Sequence, residues 1–309
     1  MEFDHIRLSR FSAWVLGLVR IPVMIGAMHA MRVLFLLLLA AASACADTES
    51  RLEYLANEGV AVFHRDTTLL FDPLFRIDHG YYVLVQEATR TAMLTRATPF
   101  ENVAAIFVSH YHSDHFDPVD MLQMMTVHES TRLYAPRQAI DAMRQLAAEE
   151  HRDLFDRVES IDLSYEDDPQ LLHAGDISVQ AFFVPHSGWP TARTDVQNIA
   201  FRVTVDDQVS VAHLGDSDPN LIHFERHEQA WHAQQTDVAL PPYWFFDSRD
   251  GNDILSEVIR SRHSIGVHVP AAFSDRESIP EDLRGFDLFI EPGESRPWIR
   301  APELPHIPE

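Results

Sequence analysis

Short apolar segments bounded by turn residues recur along the chain and predict β-strands. They are rich in β-branched and aromatic side chains, a composition typical of strands. They cover residues 59–64, 68–71, 81–86, 103–108, 177–184, 198–205 and 209–213. The last two are joined by Asp206-Asp207-Gln208, and this pair predicts a hairpin.

A helical repeat of apolar residues is clearest over residues 136–151. One face of that segment carries its apolar side chains, Ile140, Met143, Leu146 and Ala147. Residues 224–235 and 253–262 are further helix candidates, and the Pro-rich tail after Pro292 is predicted to be irregular. No internal repeat or low-complexity linker interrupts these elements, so we expect one domain over residues 46–309.

The first 45 residues, 1–45, are predicted to be a leader segment. Arg32 precedes a short apolar run that ends in small residues, which is the pattern of an export signal. The run is too short to span a bilayer comfortably. Cys45 follows residues 42–44, Ala-Ser-Ala, which resemble the acylation site of bacterial lipoproteins; cleavage after Ala44 or Ala46 is the alternative.

Both alternatives predict an exported protein. It would be either periplasmic or held in a bacterial envelope as a lipoprotein, with acylated Cys45 as its membrane tether. A second apolar patch at residues 11–27 is interrupted by Arg20. Translation beginning at Met28 or Met31 would therefore give a better leader.

Charge and cysteine content exclude some partners and ligands. The 309 residues carry a formal charge of −23, and all 24 basic residues are arginine. Nucleic-acid binding normally requires a basic surface, so we expect a small-molecule substrate and no nucleic acid. Cys45 is the only cysteine, so the mature domain has no disulfide and no thiolate metal ligand.

A cluster of histidines and an aspartate follows the predicted strand at residues 103–108. The stretch Ser-His-Tyr-His-Ser-Asp-His contains His110, His112, Asp114 and His115. A turn can direct alternate side chains toward two neighbouring points, and imidazole and carboxylate are good ligands for zinc, manganese and iron. In a chain with 18 histidines, a solvated loop is the competing interpretation.

Three later candidate ligands favour a metal site over a solvated loop. They are His186 in Val-Pro-His-Ser-Gly, Asp216 in Leu-Gly-Asp-Ser, and His268 after Ile-Gly-Val. With these motifs in this order, the sequence resembles the metallo-β-lactamase superfamily over roughly residues 52–291. The resemblance implies an α/β fold, the four-layer αβ/βα metallo-β-lactamase sandwich.

The resemblance also implies a ligand set for two divalent metal ions. One ion is assigned His110, His112 and His186. The other is assigned Asp114, His115 and His268, and Asp216 bridges the two. Asp72, in Leu-Phe-Asp-Pro, matches an aspartate that supports the histidine turn, and a turn-forming Asp-Pro is the alternative. Zinc (Zn2+) is the expected metal, with manganese or iron as alternatives.

The function implied by these ligands is that of a dinuclear metal-dependent hydrolase. A metal-bridging hydroxide would attack an ester-type bond in a lactone, ester or phosphodiester, with Asp114 and Asp216 as the central carboxylates. The lack of a cysteine ligand argues against an antibiotic-hydrolysing β-lactamase, and the acidity argues against a ribonuclease. The motifs look most like those of sugar-phosphate lactonases and phospholipase D-type phosphodiesterases.

His213 and Tyr243 are further catalytic candidates. His213 would support the site or donate a proton, although a histidine on a short strand is more often structural. The Tyr243 hydroxyl, like that of Tyr111, would stabilise an oxyanion or a leaving group, and aromatic core is the alternative for residues 243–246. Trp189 would contribute to an apolar wall.

Two other functions stay open. One is an iron-dependent oxidoreductase or dioxygenase on the same fold, which would contain iron and consume oxygen. The other is a catalytically silent, surface-anchored binding protein. The second ligand trio with its bridging aspartate argues against a mononuclear oxygenase, and the complete ligand set argues against a silent protein.

Overall fold

Two seven-stranded β-sheets face each other in the computed structural model, which describes residues 50–298. The first sheet contains β1 Arg51–Ala56, β2 Gly59–His64, β3 Thr67–Phe71, β4 Val103–Phe107, β5 Arg132–Pro136, β6 Val158–Ile161 and the last strand of the described chain, β14 Ser295–Pro297. Its order is β14-β1-β2-β3-β4-β5-β6. Pairing is antiparallel from β14 to β3 and parallel from β3 to β6.

The second sheet is formed by the later part of the chain. Its strands are β7 Gln170–Ala174, β8 Ile177–Phe183, β9 Ile199–Val205, β10 Val209–His213, β11 Val238–Leu240, β12 His263–Gly266 and β13 Asp287–Leu288, in the order β13-β12-β11-β10-β9-β8-β7. Strands β7 to β10 are antiparallel, and β10 to β13 are parallel. The predicted hairpin is β9 with β10, in which Val205 pairs with Val209.

Helices cover the outer face of each sheet. The first sheet carries α1 Glu87–Leu94, α2 Pro118–Val127, α3 Arg137–Leu146 and the 3-10 segment Glu149–Arg157. The second carries α4 Ile222–Glu225, α5 Glu228–His232, the 3-10 turn Tyr243–Phe245, α6 Arg249–Asp253 and the π-helical turn Ile254–Val258. Among residues 50–298, no helix is both long enough and apolar enough to cross a bilayer.

The hydrophobic core has three layers, which explains why the strands are apolar on both faces. In β3, Leu69 and Phe71 point between the two sheets, whereas Leu70 points toward the helices. The predicted apolar face of α3 packs inward through Ile140 and Met143. Alternate side chains of a strand face opposite sides, so each sheet buries one face on the other sheet and one on helices. The predicted α/β fold, a four-layer αβ/βα sandwich, is confirmed.

The strand predicted at residues 81–86 is wrong. The Asp78 carbonyl accepts hydrogen bonds from the backbone N–H groups of Tyr81 and Tyr82 at 2.8 and 3.0 Å, and the Asp78 carboxylate accepts one from Gly80 at 2.9 Å. Gly80 has a φ of 68°, so the chain turns instead of extending. Because these backbone N–H groups are already hydrogen-bonded within the turn, they are not available to pair with a neighbouring strand.

Other boundaries also differ from the sequence predictions. The helix expected over residues 136–151 ends at Leu146, because Ala147 is extended with a ψ of 130°. The tail expected to be irregular contains β14, an edge strand, where a proline at position 297 is tolerated. The leader predicted for residues 1–45, with Cys45 and the starts Met28 and Met31, lies outside the described residues.

Candidate metal centre

All seven predicted ligands lie together at one edge of the two sheets. Four follow the carboxyl end of β4 in the first sheet: His110, His112, Asp114 and His115. Three follow β8, β10 and β12 in the second sheet: His186, Asp216 and His268. Residues separated by more than 150 positions therefore meet because the strand ends of both sheets are adjacent.

A tight turn after β4 divides the first four ligands into two pairs. The carbonyl of His112 accepts hydrogen bonds from the backbone N–H groups of His115 and Phe116, at 3.0 and 2.9 Å. Helix α2 begins directly afterwards, and the Asp117 side chain caps it by accepting a hydrogen bond from the Asp120 backbone at 2.8 Å. The turn places His110 and His112 in one group of ligands and places Asp114 and His115 in the other.

The first group has the spacing of a tetrahedral metal site. His112 Nδ1 lies 3.0 Å from His110 Nε2 and 3.2 Å from His186 Nε2. Asp216 Oδ2 lies 3.2 Å from His186 Nε2 and 4.0 Å from His110 Nε2. Zinc bonds of about 2.0–2.1 Å in a tetrahedron separate neighbouring ligand atoms by about 3.3 Å. The observed separations are therefore close to those that a bound ion would impose.

The second group has similar spacing. His115 Nε2 and His268 Nε2 lie 3.2 Å apart, and each is 3.7 Å from Asp114 Oδ2. Asp216 Oδ1 lies 3.3 Å from His115 Nε2 and 3.0 Å from His268 Nε2. Asp216 thus directs one carboxylate oxygen at each group, which is the arrangement of a bridging ligand.

Burial keeps two histidines of the first group, His110 and His112, in a metal-binding form. Burial lowers the pKa of His110 well below its usual value and lowers the pKa of His112 to about 4. Both imidazoles are therefore neutral near pH 7, with free lone pairs, as metal ligation requires.

In the second group, neighbouring charges shift the pKa values of His115 and Asp216 in opposite directions. Burial disfavours the charged form of His115, but the carboxylates of Asp216 and Asp72 outweigh burial and raise its pKa well above the usual value. Burial by itself would raise the pKa of Asp216, but the imidazoles of His268 and His115 lower it far below the usual value. Asp216 Oδ1 is buried without a hydrogen bond in the described chain. These donors fit divalent cations.

Asp72 orients one ligand of each group from behind. It is fully buried and accepts hydrogen bonds from the Ser109 backbone N–H at 2.7 Å, from Ser109 Oγ at 2.5 Å and from His115 Nδ1 at 3.0 Å. Ser109 Oγ is also 3.0 Å from His110 Nδ1. A partner on the second ring nitrogen fixes the tautomer that presents Nε2 to a metal.

Two asparagines join the loops that carry the remaining ligands. Asn198 donates from Nδ2 to the carbonyls of Val184 and Leu214, both at 3.2 Å, and its Oδ1 accepts from the Asp216 backbone at 3.1 Å. Asn57, in the turn between β1 and β2, donates from its side-chain amide to the Asp114 carbonyl at 2.9 Å, and its backbone carbonyl accepts from the His268 backbone N–H at 2.8 Å. The loops that carry both groups of ligands are therefore held by hydrogen bonds to these two buried asparagines.

A cavity of about 570 Å³ opens onto both groups. Four predicted ligands line it: His112, Asp114, His186 and Asp216. The rest of its wall is His79, Tyr81, Tyr82, Ser113 and Arg193. The candidate metal centre therefore forms part of the wall of a cavity of small-molecule size.

A family model described as the β-lactamase superfamily domain matches residues 67–264. The chain belongs to this superfamily. The family resemblance stated from the sequence motifs is thereby confirmed. No curated protein sequence matches the chain significantly.

Solved structures with low sequence identity to this chain have a similar fold. A "possible metal-dependent hydrolase" from Veillonella parvula has 14% identity and a TM-score of 0.55, covering 81% of this chain and 100% of its own. Igni18, a metallo hydrolase from Ignicoccus hospitalis, has 14% identity and a TM-score of 0.51, covering 82% and 100%. A variant of the CmlA β-hydroxylase has 15% identity and a TM-score of 0.51, covering 81% and 54%.

The other residues singled out from the superfamily resemblance lie around this centre. His213 is buried behind it, where its ring stacks on Phe71 at 5.2 Å. Tyr243 packs edge-on against Trp244 and Phe273 and is not among the residues lining the cavity. Exposed Tyr111 lies beside the His112 ring at 5.1 Å. Trp189 is exposed and lines a neighbouring cavity.

Glu58, which was not identified from the sequence, lies close to the candidate metal ligands His115 and Asp216. It is fully buried, and neither carboxylate oxygen has a hydrogen-bond partner in the described chain. His213 Nε2 donates to the Glu58 carbonyl at 3.0 Å and lies 3.3 Å from its Oε2. Burial raises the pKa of Glu58 well above its usual value. Its sequence setting, Asn-Glu-Gly between strands, is typical of a solvated turn, so no local signal marks it.

Proposed function

We propose that the protein is a dinuclear metal-dependent hydrolase that acts on an ester-type bond of a lactone, ester or phosphodiester. The observation that carries this proposal is the Asp216 carboxylate, which directs one oxygen at each of two histidine-containing groups. The named metallo hydrolases with a similar fold are in keeping with it. Three neutral or anionic side chains complete each group.

Two divalent ions bound here would supply an activated water molecule and polarise the bond that it attacks. The chain's own residues hold and orient the ligands. Asp72 fixes the His115 ring, and the Ser187 carbonyl accepts from His186 Nδ1 at 3.0 Å. His112 and Asp114 reach the cavity wall, so a substrate bound there would contact the centre directly.

A small-molecule substrate fits this site better than a nucleic acid. The cavity is about 570 Å³, within the range of small-ligand sites. The chain has a formal charge of −23, which disfavours association with a polyanion. Export, with Cys45 as a membrane tether, is proposed from the sequence alone.

The test combines metal analysis with a substrate panel. Purified protein is expected to contain two transition-metal ions per chain and to hydrolyse at least one of bis-p-nitrophenyl phosphate, a γ-lactone and a p-nitrophenyl ester. Chelation should abolish turnover, and readdition of zinc or manganese should restore it. A metal content of one or fewer per chain, with the whole panel inert after metal addition, would contradict the proposal.

An iron-dependent oxidoreductase is the second candidate function. What favours it is the likeness in fold to CmlA, which is described as a diiron β-hydroxylase from Streptomyces venezuelae. This function predicts iron in the purified protein and oxygen uptake with a reductant, with no turnover of the ester panel. Bound metal without either activity would instead favour a silent binding protein.

A further inference from the structure

Arg193 lies in the wall of the cavity that contains four of the predicted metal ligands. It lines the 570 Å³ cavity together with His186 and Asp216. It also lines a second cavity of about 260 Å³, and His186 and Arg193 are the residues common to both. Arg193 therefore contributes to the walls of both cavities.

The hydrogen bonds of Arg193 tie its position to a predicted metal ligand. Its Nη1 donates to the Ser187 carbonyl at 3.2 Å, and that same carbonyl accepts from His186 Nδ1 at 3.0 Å. Arg193 also has a φ of 55°, a conformation that is uncommon for residues other than glycine. The loop thus places this side chain one carbonyl group away from the metal centre.

Arg193 forms no ion pair within residues 50–298. Some other exposed arginines pair with carboxylates, such as Arg65 with Asp206 at 2.8 Å and Arg137 with Asp162 at 3.1 Å. The remaining donors of Arg193 are free to bind an anion, and a guanidinium matches the planar geometry of a carboxylate or phosphate.

The second cavity has a mixed wall, one part of which is apolar. The apolar part includes Leu163, Phe183 and Pro185, and the polar part includes Ser164, Thr194, Asp195 and Gln197. Trp189 and Tyr165 also line it, with their rings stacked 5.9 Å apart. A ligand that extends from the metal centre past Arg193 would therefore meet aromatic and aliphatic side chains.

We propose that Arg193 binds an anionic group of the substrate, a carboxylate or a phosphate, while the scissile bond lies at the metal centre and an apolar group contacts Trp189. The substrate class is thus an amphipathic anionic ester, lactone or phosphodiester. This inference rests on the proposed hydrolase function. Arg193 acts as a determinant of specificity, and it takes no part in bond cleavage.

Hydrolysis of two esters that differ in one charge tests this assignment. The pair is mono-p-nitrophenyl glutarate, which ends in a carboxylate, and p-nitrophenyl valerate, which ends in a methyl group. In Arg193→Gln, the preference in kcat/KM for the charged ester should fall about tenfold, as expected for a solvent-exposed charged hydrogen bond. Arg193→Lys should retain part of the preference. Arg132→Gln removes an equal charge from the opposite end of the first sheet and should leave the preference unchanged.

Binding to chelator-treated protein tests the same contact without turnover. Calorimetric titration with phenylphosphonate and with phenylacetate distinguishes a phosphate from a carboxylate, and neutral phenylacetamide is the control. Arg193→Gln should weaken binding of at least one anion about tenfold relative to wild type, and binding of the amide should change less. Metal content of the variant should equal that of the wild type.

Two results would overturn the assignment. The first is an unchanged ester preference together with unchanged binding of both anions. The second is loss of metal from Arg193→Gln, because the residue would then act by orienting His186. If neither ester is cleaved by the wild type, the hydrolase proposal fails, and the calorimetric result still decides whether Arg193 binds anions.

Discussion

Replacing Asp72 by asparagine should weaken metal binding in both groups of the centre. Asp72 accepts hydrogen bonds from Ser109 and from His115 Nδ1, and Ser109 Oγ contacts His110 Nδ1. His110 belongs to one ligand group and His115 to the other. One buried carboxylate therefore orients a candidate ligand in each group.

The size of the effect follows from these contacts. Asparagine has the shape of aspartate, but it is neutral and one of its oxygens is replaced by an N–H donor. If its oxygen keeps the Ser109 backbone bond of 2.7 Å, its amide faces the donor on His115 Nδ1. Loss of a hydrogen bond to a charged acceptor costs about 1.5–3 kcal/mol. Loss of a partner that orients a metal-binding histidine lowers metal affinity about 10- to 100-fold.

Chelator-competition titration with zinc, followed by elemental analysis, measures this loss directly. Asp66→Asn is the matched control, because the substitution makes the same chemical change at an exposed residue in the turn between β2 and β3. The variant is expected to lose affinity at both ions and the control at neither. The reasoning is refuted if Asp72→Asn binds two ions with affinities within about twofold of wild type, since the predicted loss is at least about tenfold.

Three other changes test the centre and the turn that supports it. Asp216→Asn should lower the metal content from two ions per chain to one or none, measured by elemental analysis, because a single amide oxygen replaces a bridge. Gly215→Ala should lower the free energy of unfolding by about 1–3 kcal/mol in denaturant titrations, because Gly215 has a φ of 55° and a Cβ would lie 2.5 Å from Asn198 Oδ1 and 2.6 Å from Ser109 Cβ. Glu58→Gln should gain thermal stability relative to metal-free wild type as the pH rises from 5 to 8. Buried Glu58 keeps its proton in the folded chain, whereas in the unfolded chain Glu58 releases it above its usual pKa of 4.5. The free energy of unfolding of the wild type therefore falls as the pH rises. Glutamine does not titrate, so the variant does not undergo this loss of stability.

The glycine substitution has a matched control, and each of the three predictions has an outcome that would contradict it. Gly285→Ala is the control for the glycine, because a Cβ there meets nothing within 4 Å and φ is not in the left-handed region. Equal stability of the two alanine variants would contradict the steric argument. An Asp216→Asn protein that retains two ions would exclude the bridge, and a Glu58→Gln advantage that is the same at pH 5 and pH 8 would exclude a buried proton on Glu58.

The candidate ligands could be located in the sequence because they follow apolar strands. His110, His186, Asp216 and His268 stand where runs of buried residues end, and strand ends can be located from the apolar pattern. The hairpin of β9 and β10 was predicted for the same reason. That these ends would meet came from the family resemblance, since no local pattern in this chain specifies contacts between the two sheets.

Residues whose roles depend on distant contacts could not be predicted. Glu58 is buried through contacts with His213, which is 155 positions away, so its turn-like sequence is misleading. Arg193 lies in an exposed loop of ordinary polar composition, and only the folded chain shows it beside His186. Strand β11 has three residues, too few for a periodic pattern, and Tyr82 lies in a segment whose aromatic composition wrongly indicated a strand.

The pairing of the last described strand with the first has a consequence for biosynthesis. Strand β14 forms hydrogen-bonded pairs with β1, and His268 reaches the metal centre shortly before it in the chain. The ribosome therefore releases this edge strand and the last predicted ligand only after most strands of both sheets. Until then the inner surface around Phe71 and Phe107 lacks part of its cover. Nascent chains that end before residue 268 would lack a member of the second group, so that group can form only after His268 has been synthesised.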